Sequence, residues 1–314
     1  MSRKAWLQLV LPLIGLSVLF WLLAFAPSEK HHQPPLLELS VILRDGDGAV
    51  STMRKGMEQA AQDLNVELRF LIPAEDNSAA QQAQLLEREV AGAAPAVLLI
   101  PADREALGDA VSAAAGKTTL VTVETDMTAW GAAASITMDH QALGAALGAA
   151  ALNGVPEGGT VLLLDSLPGD NGIRERMEAA KAVLEREGRQ ARVYKWDPGT
   201  TSLPDILRIE RPRAIIAFEA AALADVAELS RGEDTFPLLY GCGSTSGIAA
   251  ALEKGRVTAI TAVNVFSAGY LAVEAAAALA RHEDWTAAAP VAFSIVRQET
   301  MYDSDNQKLL FPVT

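Results

Sequence analysis

The chain has 314 residues, a net charge of −13, half of its residues hydrophobic and a single cysteine, Cys242. The acidic balance argues against a nucleic-acid surface, which needs clustered Lys and Arg against phosphate, and one cysteine excludes an internal disulfide. Stability must come from a core, and a chain of this length rich in Ala, Leu and Val can supply one.

The first element is an uncharged apolar run from Ala5 to Ala26, flanked by Arg3 and Lys4 before and by Glu29 and Lys30 after. About 20 apolar residues cross a bilayer core. Residues 1–27 therefore read as an N-terminal signal anchor, with the basic start inside and the rest of the chain on the extracytoplasmic face of the membrane. A cleaved signal peptide is the alternative, with Ala24-Phe25-Ala26 as its small-x-small site and a periplasmic or secreted product. The length of the run, and Pro27 directly after that site, favour retention. Residues 28–36 are a polar linker. Its His31-His32 pair has no Cys or carboxylate at ligand spacing and reads as solvated.

Strands and helices then alternate. Leu39–Leu43 is an apolar run closed by Arg44-Asp45-Gly46-Asp47-Gly48, a turn signal. Val50, Met53, Met57, Ala60, Ala61 and Leu64 recur at helical spacing. Strands are expected at Val66–Ile72, Ala96–Ile100, Leu120–Val123 and Ser135–Met138, with helices at Ala79–Ala91 and Glu105–Ala115 between them. The alternation continues through helix Ala142–Leu152, strand Thr160–Leu164, helix Ile173–Glu187, strand Arg192–Trp196 and a weaker helix near Leu203–Ile209. Strand Ala214–Phe218, helix Ala221–Leu229, strand Leu238–Gly241, helix Ile248–Glu253, strand Thr258–Ala262 and helix Ala268–Arg281 follow. A last strand, Val291–Val296, precedes an irregular tail. Short strands between helices imply α/β architecture with parallel sheets covered on both faces. Two sheets fit the length better than one.

In open parallel sheets, ligands bind beyond the carboxyl ends of the strands, at the topological switch. The residues expected there are mostly acidic. Asp45 and Asp47 follow the first strand, Asp103 the third, Glu124 the fourth and Asp139 the fifth. Asp165 follows the sixth, with Arg174 one turn into the next helix; Glu219 follows Phe218, and Asn264 follows Ala262. Carboxylates accept from hydroxyl or ammonium donors. Each residue alone reads more simply as a helix N-cap or a solvated loop charge, and it is the recurrence after strand after strand that marks the set.

No catalytic constellation stands out. Gly241-Cys242-Gly243-Ser244 lacks the G-x-S-x-G elbow, and Gly46-Asp47-Gly48 lacks the full G-x-G-x-x-G. Asp45, Asp47 and Asp76 do not match a calcium loop. His140 has no nucleophile partner by sequence, and Cys242 reads as a buried small residue. No enzyme activity, metal or cofactor is expected.

Several local segments carry a resemblance. They are the helix Ser51-Thr-Met-Arg-Lys-Gly56 after the first turn, Val97-Leu-Leu-Ile-Pro-Ala-Asp103, Gly172-Ile-Arg174-Glu-Arg176-Met-Glu-Ala-Ala, Leu238-Leu-Tyr-Gly241 and Ala251-Leu-Glu-Lys-Gly255-Arg-Val-Thr-Ala-Ile. In order and spacing the chain from Leu39 to about Val313 resembles the type I periplasmic binding proteins, the ribose-binding-like solute receptors of bacterial ABC importers. The resemblance implies two Rossmann-like lobes joined by a three-crossover hinge, residues 37–138 plus 265–284 and residues 139–264 plus 285–314. It also implies capture of a small polar, sugar-like ligand in the cleft and delivery to an ABC permease. The departures are local. Ala49 and Val50 stand where the family carries stacking aromatics, Gly243 where it carries Asn or Asp, Glu219 where it carries Asn, and Glu124 where it carries Asp, while Arg174 is retained. Asp47, Glu124 and Glu219 in one cleft also motivate an amine-bearing ligand. A sensory module partnering a histidine kinase is the alternative to import.

Overall fold

A computed structural model describes residues 35–46, 51–167, 170–197, 199–200, 202–232, 235–286 and 289–311. Its first sheet holds β1 (Leu37–Ile42), β2 (Val66–Leu71), β3 (Ala96–Leu99), β4 (Thr119–Glu124) and β5 (Ala134–Thr137), all parallel, in the order β2-β1-β3-β4-β5. The second holds β6 (Thr160–Asp165), β7 (Gln190–Lys195), β8 (Ala214–Ala217), β9 (Leu238–Cys242), β10 (Ala259–Val263) and β11 (Phe293–Val296), in the order β11-β10-β9-β8-β6-β7. Both windings reverse direction after their first strand. The topological switches therefore lie between β1 and β3 and between β6 and β8.

Sequence decides which strands are central. Ala96–Leu99 and Ala214–Ala217 are buried at every position, as strands covered on both faces must be. Val66–Leu71 and Gln190–Lys195 interleave polar and apolar residues and form edges. β11 pairs antiparallel with β10, so the expectation of purely parallel pairing fails at that edge. The chain reaches β11 from the other lobe rather than through a helix over the same sheet, and the right-handed crossover that enforces parallel pairing does not apply.

The helices are α1 (Ser51–Leu64), α2 (Ala79–Ala91), α3 (Arg104–Ala114), α4 (His140–Leu152), α5 (Asn171–Arg186), α6 (Leu203–Glu210), α7 (Ala220–Leu229), α8 (Ser246–Glu253), α9 (Val265–Ala280) and α10 (Ser304–Leu310). Met53, Met57 and Ala60 of α1 and Ala268, Ala272 and Ala276 of α9 cover one face of the first sheet. Leu86, Leu107 and Val111 of α2 and α3 cover the other. In the second sheet α4 and α5 take one face with Leu147, Ile173 and Leu184. The other face belongs to α6, α7 and α8 with Leu203, Leu223 and Leu252.

Two helix pairs cross in backbone contact. A Cβ on Gly56 of α1 would run into the Phe266 carbonyl, and one on Gly144 of α4 into the Arg176 carbonyl. Glycine is required where two backbones approach this closely. These crossings set α1 and α5 with their N-terminal ends at the gap between the sheets.

The chain passes between the sheets three times, after β5, after β10 and after α9. The passages run side by side. Val291 N donates to Thr137 O at 2.8 Å, Asn264 N donates to Ala292 O at 3.4 Å, and Met138 bridges Val291.

The segment after β11 is not an irregular tail. A 3-10 turn, Gln298–Thr300, leads into α10, and Met301 and Leu310 pack into the second lobe's core. Too few apolar residues recur there for a period to be read. Several helices also begin earlier than their apolar periodicity suggests, because capping side chains Asp139, Asp170 and Asn264 start them. The signal anchor at residues 1–27, the linker histidines and Asp47 lie outside the described residues. Among the described residues, no helix is long and apolar enough to cross a membrane.

Candidate functional site

A cavity of about 630 Å³ opens between the carboxyl ends of the two sheets. Arg44, Ser51, Thr52, Lys55 and Glu124 line it from the first lobe, and Arg176, Glu219, Cys242 and Ser244–Ser246 from the second. Met138, Val263 and Val265 of the crossovers close its back, and Leu309–Phe311 reach it from α10.

Its most strongly charged feature is a cluster on Arg44. The Arg44 Nη1 donates to Glu124 Oε2 at 2.8 Å and to Asp170 Oδ2 at 3.3 Å, and Nε donates to Asp45 Oδ2 at 3.2 Å. Glu124 holds the guanidinium charged, well above its ordinary range, against the opposing effect of burial; Asp170 and Asp45 add to it. Buried charges persist only when paired in this way. Asp170 belongs to the second lobe, where its other oxygen caps α5 through Ile173 N at 2.8 Å. The pair Arg44–Asp170 therefore ties the lobes across the cleft.

A second tie runs beside it. Asn171 Oδ1 accepts from Arg104 N at 3.1 Å, its amide nitrogen donates to Glu105, and Arg104 Nη1 lies 3.5 Å from Glu175 Oε1. Burial opposes the ionised Glu105 carboxyl, but the Asn171 and Arg104 donors outweigh it and hold the group below the usual range.

His140 sits at the first crossover. Its Nε2 lies 3.2 Å from the Glu124 carbonyl oxygen, a contact that puts the ring proton on Nε2. Burial, and then the charge of Arg176, push the imidazole below its ordinary 6.5. Glu124 itself has φ of 69°, a left-handed backbone rare for a side-chain-bearing residue and typical of functional turns.

Of the nine candidate ligand residues, Glu124 and Glu219 reach the cavity wall, and Asp47 lies outside the described residues. Glu219 accepts from Ala221 N at 2.8 Å, Ala222 N at 3.3 Å and Ser166 Oγ at 3.1 Å, which links the two loops at the second switch. Asp45 stands behind Arg44. Asp103, Asp139 and Asn264 cap helices, accepting from Ala106 N, Ala142 N and Ser267 N at 2.9, 2.8 and 3.0 Å. Asp165 is half-buried at the end of β6, where burial pushes its carboxyl up against the pull of Lys195. Arg174 is exposed, and Arg176 lines the cavity in its place. The helix turns about 100° per residue, so Ile173 and Arg176 share the inward face and Arg174 leaves it.

Two residues outside those nine matter more: Arg44, in the turn that closes the first strand, and Gln82. Arg44 was signalled by the carboxylates themselves, since a part-buried acidic set needs a cation. Gln82 is fully buried on α2. Its amide nitrogen donates to Leu43 O at 2.9 Å and Ile100 O at 2.7 Å, and its oxygen accepts from Ala102 N at 2.8 Å. It pins the loops after β1 and β3 at the first switch. Its signal was a polar residue one turn before Leu86, on the helix's apolar face.

Two α/β lobes, wound alike and meeting at one polar cavity, define a two-lobed cleft receptor fold. Residues 40–284 match the model of the periplasmic binding protein domain, and the chain belongs to that family, as a type I member. Solved structures agree on the fold. A carbohydrate transporter solute binding protein from Agrobacterium radiobacter, in complex with D-arabinose, is 19% identical with a TM-score of 0.81, over 88% of this chain and 99% of that one. An ABC transporter solute binding protein from Agrobacterium vitis with bound D-fucose is 17% identical with a TM-score of 0.80, over 87% and 100%. A chain of the XylFII-LytSN complex is 14% identical with a TM-score of 0.75, over 85% and 99%. No curated protein sequence matches.

Proposed function

We propose that this protein captures a small polar, sugar-like ligand in the cleft and delivers it to an ABC importer, without enzymatic activity. One observation carries the reading: a polar cavity stands at both topological switches at once, where ligands of open α/β sheets bind. In this reading the lobes are residues 37–138 plus 265–284 and residues 139–264 plus 285–314. The three crossovers are their hinge, where a few residues at element ends absorb closure. Residues 1–27 anchor the protein on the extracytoplasmic face of the membrane. A second reading, a sensing module partnering a histidine kinase, is favoured by the likeness to a chain of the XylFII-LytSN complex.

The test is a thermal-shift panel of sugars, polyols, amino acids, polyamines and nucleosides. A ligand at about 100 times its Kd stabilises by about 2.7 kcal/mol, a rise of a few degrees in Tm. A hit among sugars or polyols supports capture. A flat panel on a well-folded sample contradicts it and leaves the sensing reading, with a protein as the relevant partner.

A further inference from the structure

The donors and acceptors of the cavity do not balance. Its two acids are already engaged, Glu124 through Oε2 with Arg44 and Glu219 with two backbone amides and Ser166. Arg44 is likewise engaged, by three carboxylates. The other two cations on the wall are not. Lys55 makes no ion pair or hydrogen bond among the described residues. Arg176 spends Nε on Gly172 O at 3.0 Å, and its two terminal nitrogens have no acceptor among the described residues.

The two cations come from opposite lobes, Lys55 from α1 and Arg176 from α5, so a ligand that met both would be gripped only on closure. The hydroxyls of Ser51 and Thr52 flank Lys55 one turn back on the same helix. Phe311 is the one aromatic ring on the described wall, so a bare pyranose face has little to stack on. The free capacity is therefore cationic and donor-rich, which suits an acceptor-rich ligand.

We propose that the ligand carries an oxyanion, a carboxylate or a phosphate ester on a small polyhydroxyl body, and that Arg176 and Lys55 select it. This inference rests on the cleft being a ligand site. It runs against the amine-bearing ligand that the carboxylate count alone suggested, because Glu124 and Glu219 are already engaged within the protein.

Calorimetric titration of the full chain tests it with five probes: D-galacturonate and its neutral counterpart D-galactose, D-glucose 6-phosphate with D-glucose, and D-glucosamine. Hydrogen bonds to charged groups contribute about 1.5–3 kcal/mol, so one acid is expected to bind at least about tenfold more tightly than its neutral counterpart. Which acid does so distinguishes a carboxylate from a phosphate ester. Arg176→Gln and Lys55→Gln should each erase about tenfold of that preference, and Arg176→Lys should keep part of it. Neutral sugars binding as tightly as both acids overturn the oxyanion while leaving a sugar-binding cleft. Tighter binding of glucosamine than of either acid overturns it in favour of an amine. Binding of none of these probes by a folded protein overturns both the oxyanion and the capture of sugars.

Discussion

Replacing Gln82 should damage stability and the cleft together. The side chain is fully buried and makes three hydrogen bonds, to Leu43 O, Ile100 O and Ala102 N. Gln82→Leu keeps the volume and removes every partner, leaving two carbonyls and one amide buried without hydrogen bonds. Each such group costs about 1–3 kcal/mol. Relaxation of the two loops recovers part of that, so the expected loss is about 3 kcal/mol. In urea, with a slope of about 3 kcal/mol/M for a chain of this size, the midpoint falls by about 1 M with the slope unchanged. Gln82→Glu gives a sharper signature. An ionised carboxylate still accepts from Ala102 N but faces two carbonyl oxygens, so its folded pKa is raised above the ordinary value of about 4.3. A raised acid pKa means that the deficit grows as pH rises through the folded value and shrinks as pH falls, when the protonated group donates to one carbonyl. A Gln82→Leu loss below about 1 kcal/mol, or a Gln82→Glu deficit independent of pH, would refute the assignment of Gln82 as the pin between the two loops.

Other consequences follow from the same geometry. His140 has its pKa held below 6.5 by burial and then by Arg176; the unfolded chain therefore binds the extra proton first, and stability falls as pH drops below about 6.5 toward the folded value. His140→Gln should flatten that slope in melts taken between pH 7 and 5. Asp170→Asn keeps the α5 cap but removes the ion pair to Arg44 at 3.3 Å. A part-buried pair of this kind contributes about 1 kcal/mol, so the closed population of the ligand-free protein should fall several-fold, read as a larger radius of gyration in X-ray scattering. Gly144→Val drives a side chain into the Arg176 backbone carbonyl and should cost more than about 2 kcal/mol. Gly247→Ala, where the nearest atom is 4.0 Å away, should be neutral or stabilising by about 0.5–1 kcal/mol in the same urea assay.

The fold was legible because its signals are local. Ala79–Ala91 is both the periodic segment and the observed helix, and the buried runs Ala96–Leu99 and Ala214–Ala217 are the central strands. Strand ends then led to Glu124 and Glu219. What local signals could not settle is which strand-end acids turn inward. Asp103, Asp139 and Asn264 also follow the carboxyl ends of their strands, yet their side chains fold back on amides three residues ahead. Arg174 and Arg176 differ only by the phase of α5, which is set by the cap at Asp170. The antiparallel β11 and the packing of α10 depend on contacts with distant segments, and no periodicity in Val291–Phe311 encodes them.

The most direct measurement is a crystal structure of the protein with a ligand found by the panel. Density for that ligand is expected between the sheets, within hydrogen-bond distance of residues from both lobes, with its oxyanion at Arg176 and Lys55. Ligand density anywhere else, such as the groove at Leu203, Leu207 and Phe236 on the far end of the second sheet, would contradict it.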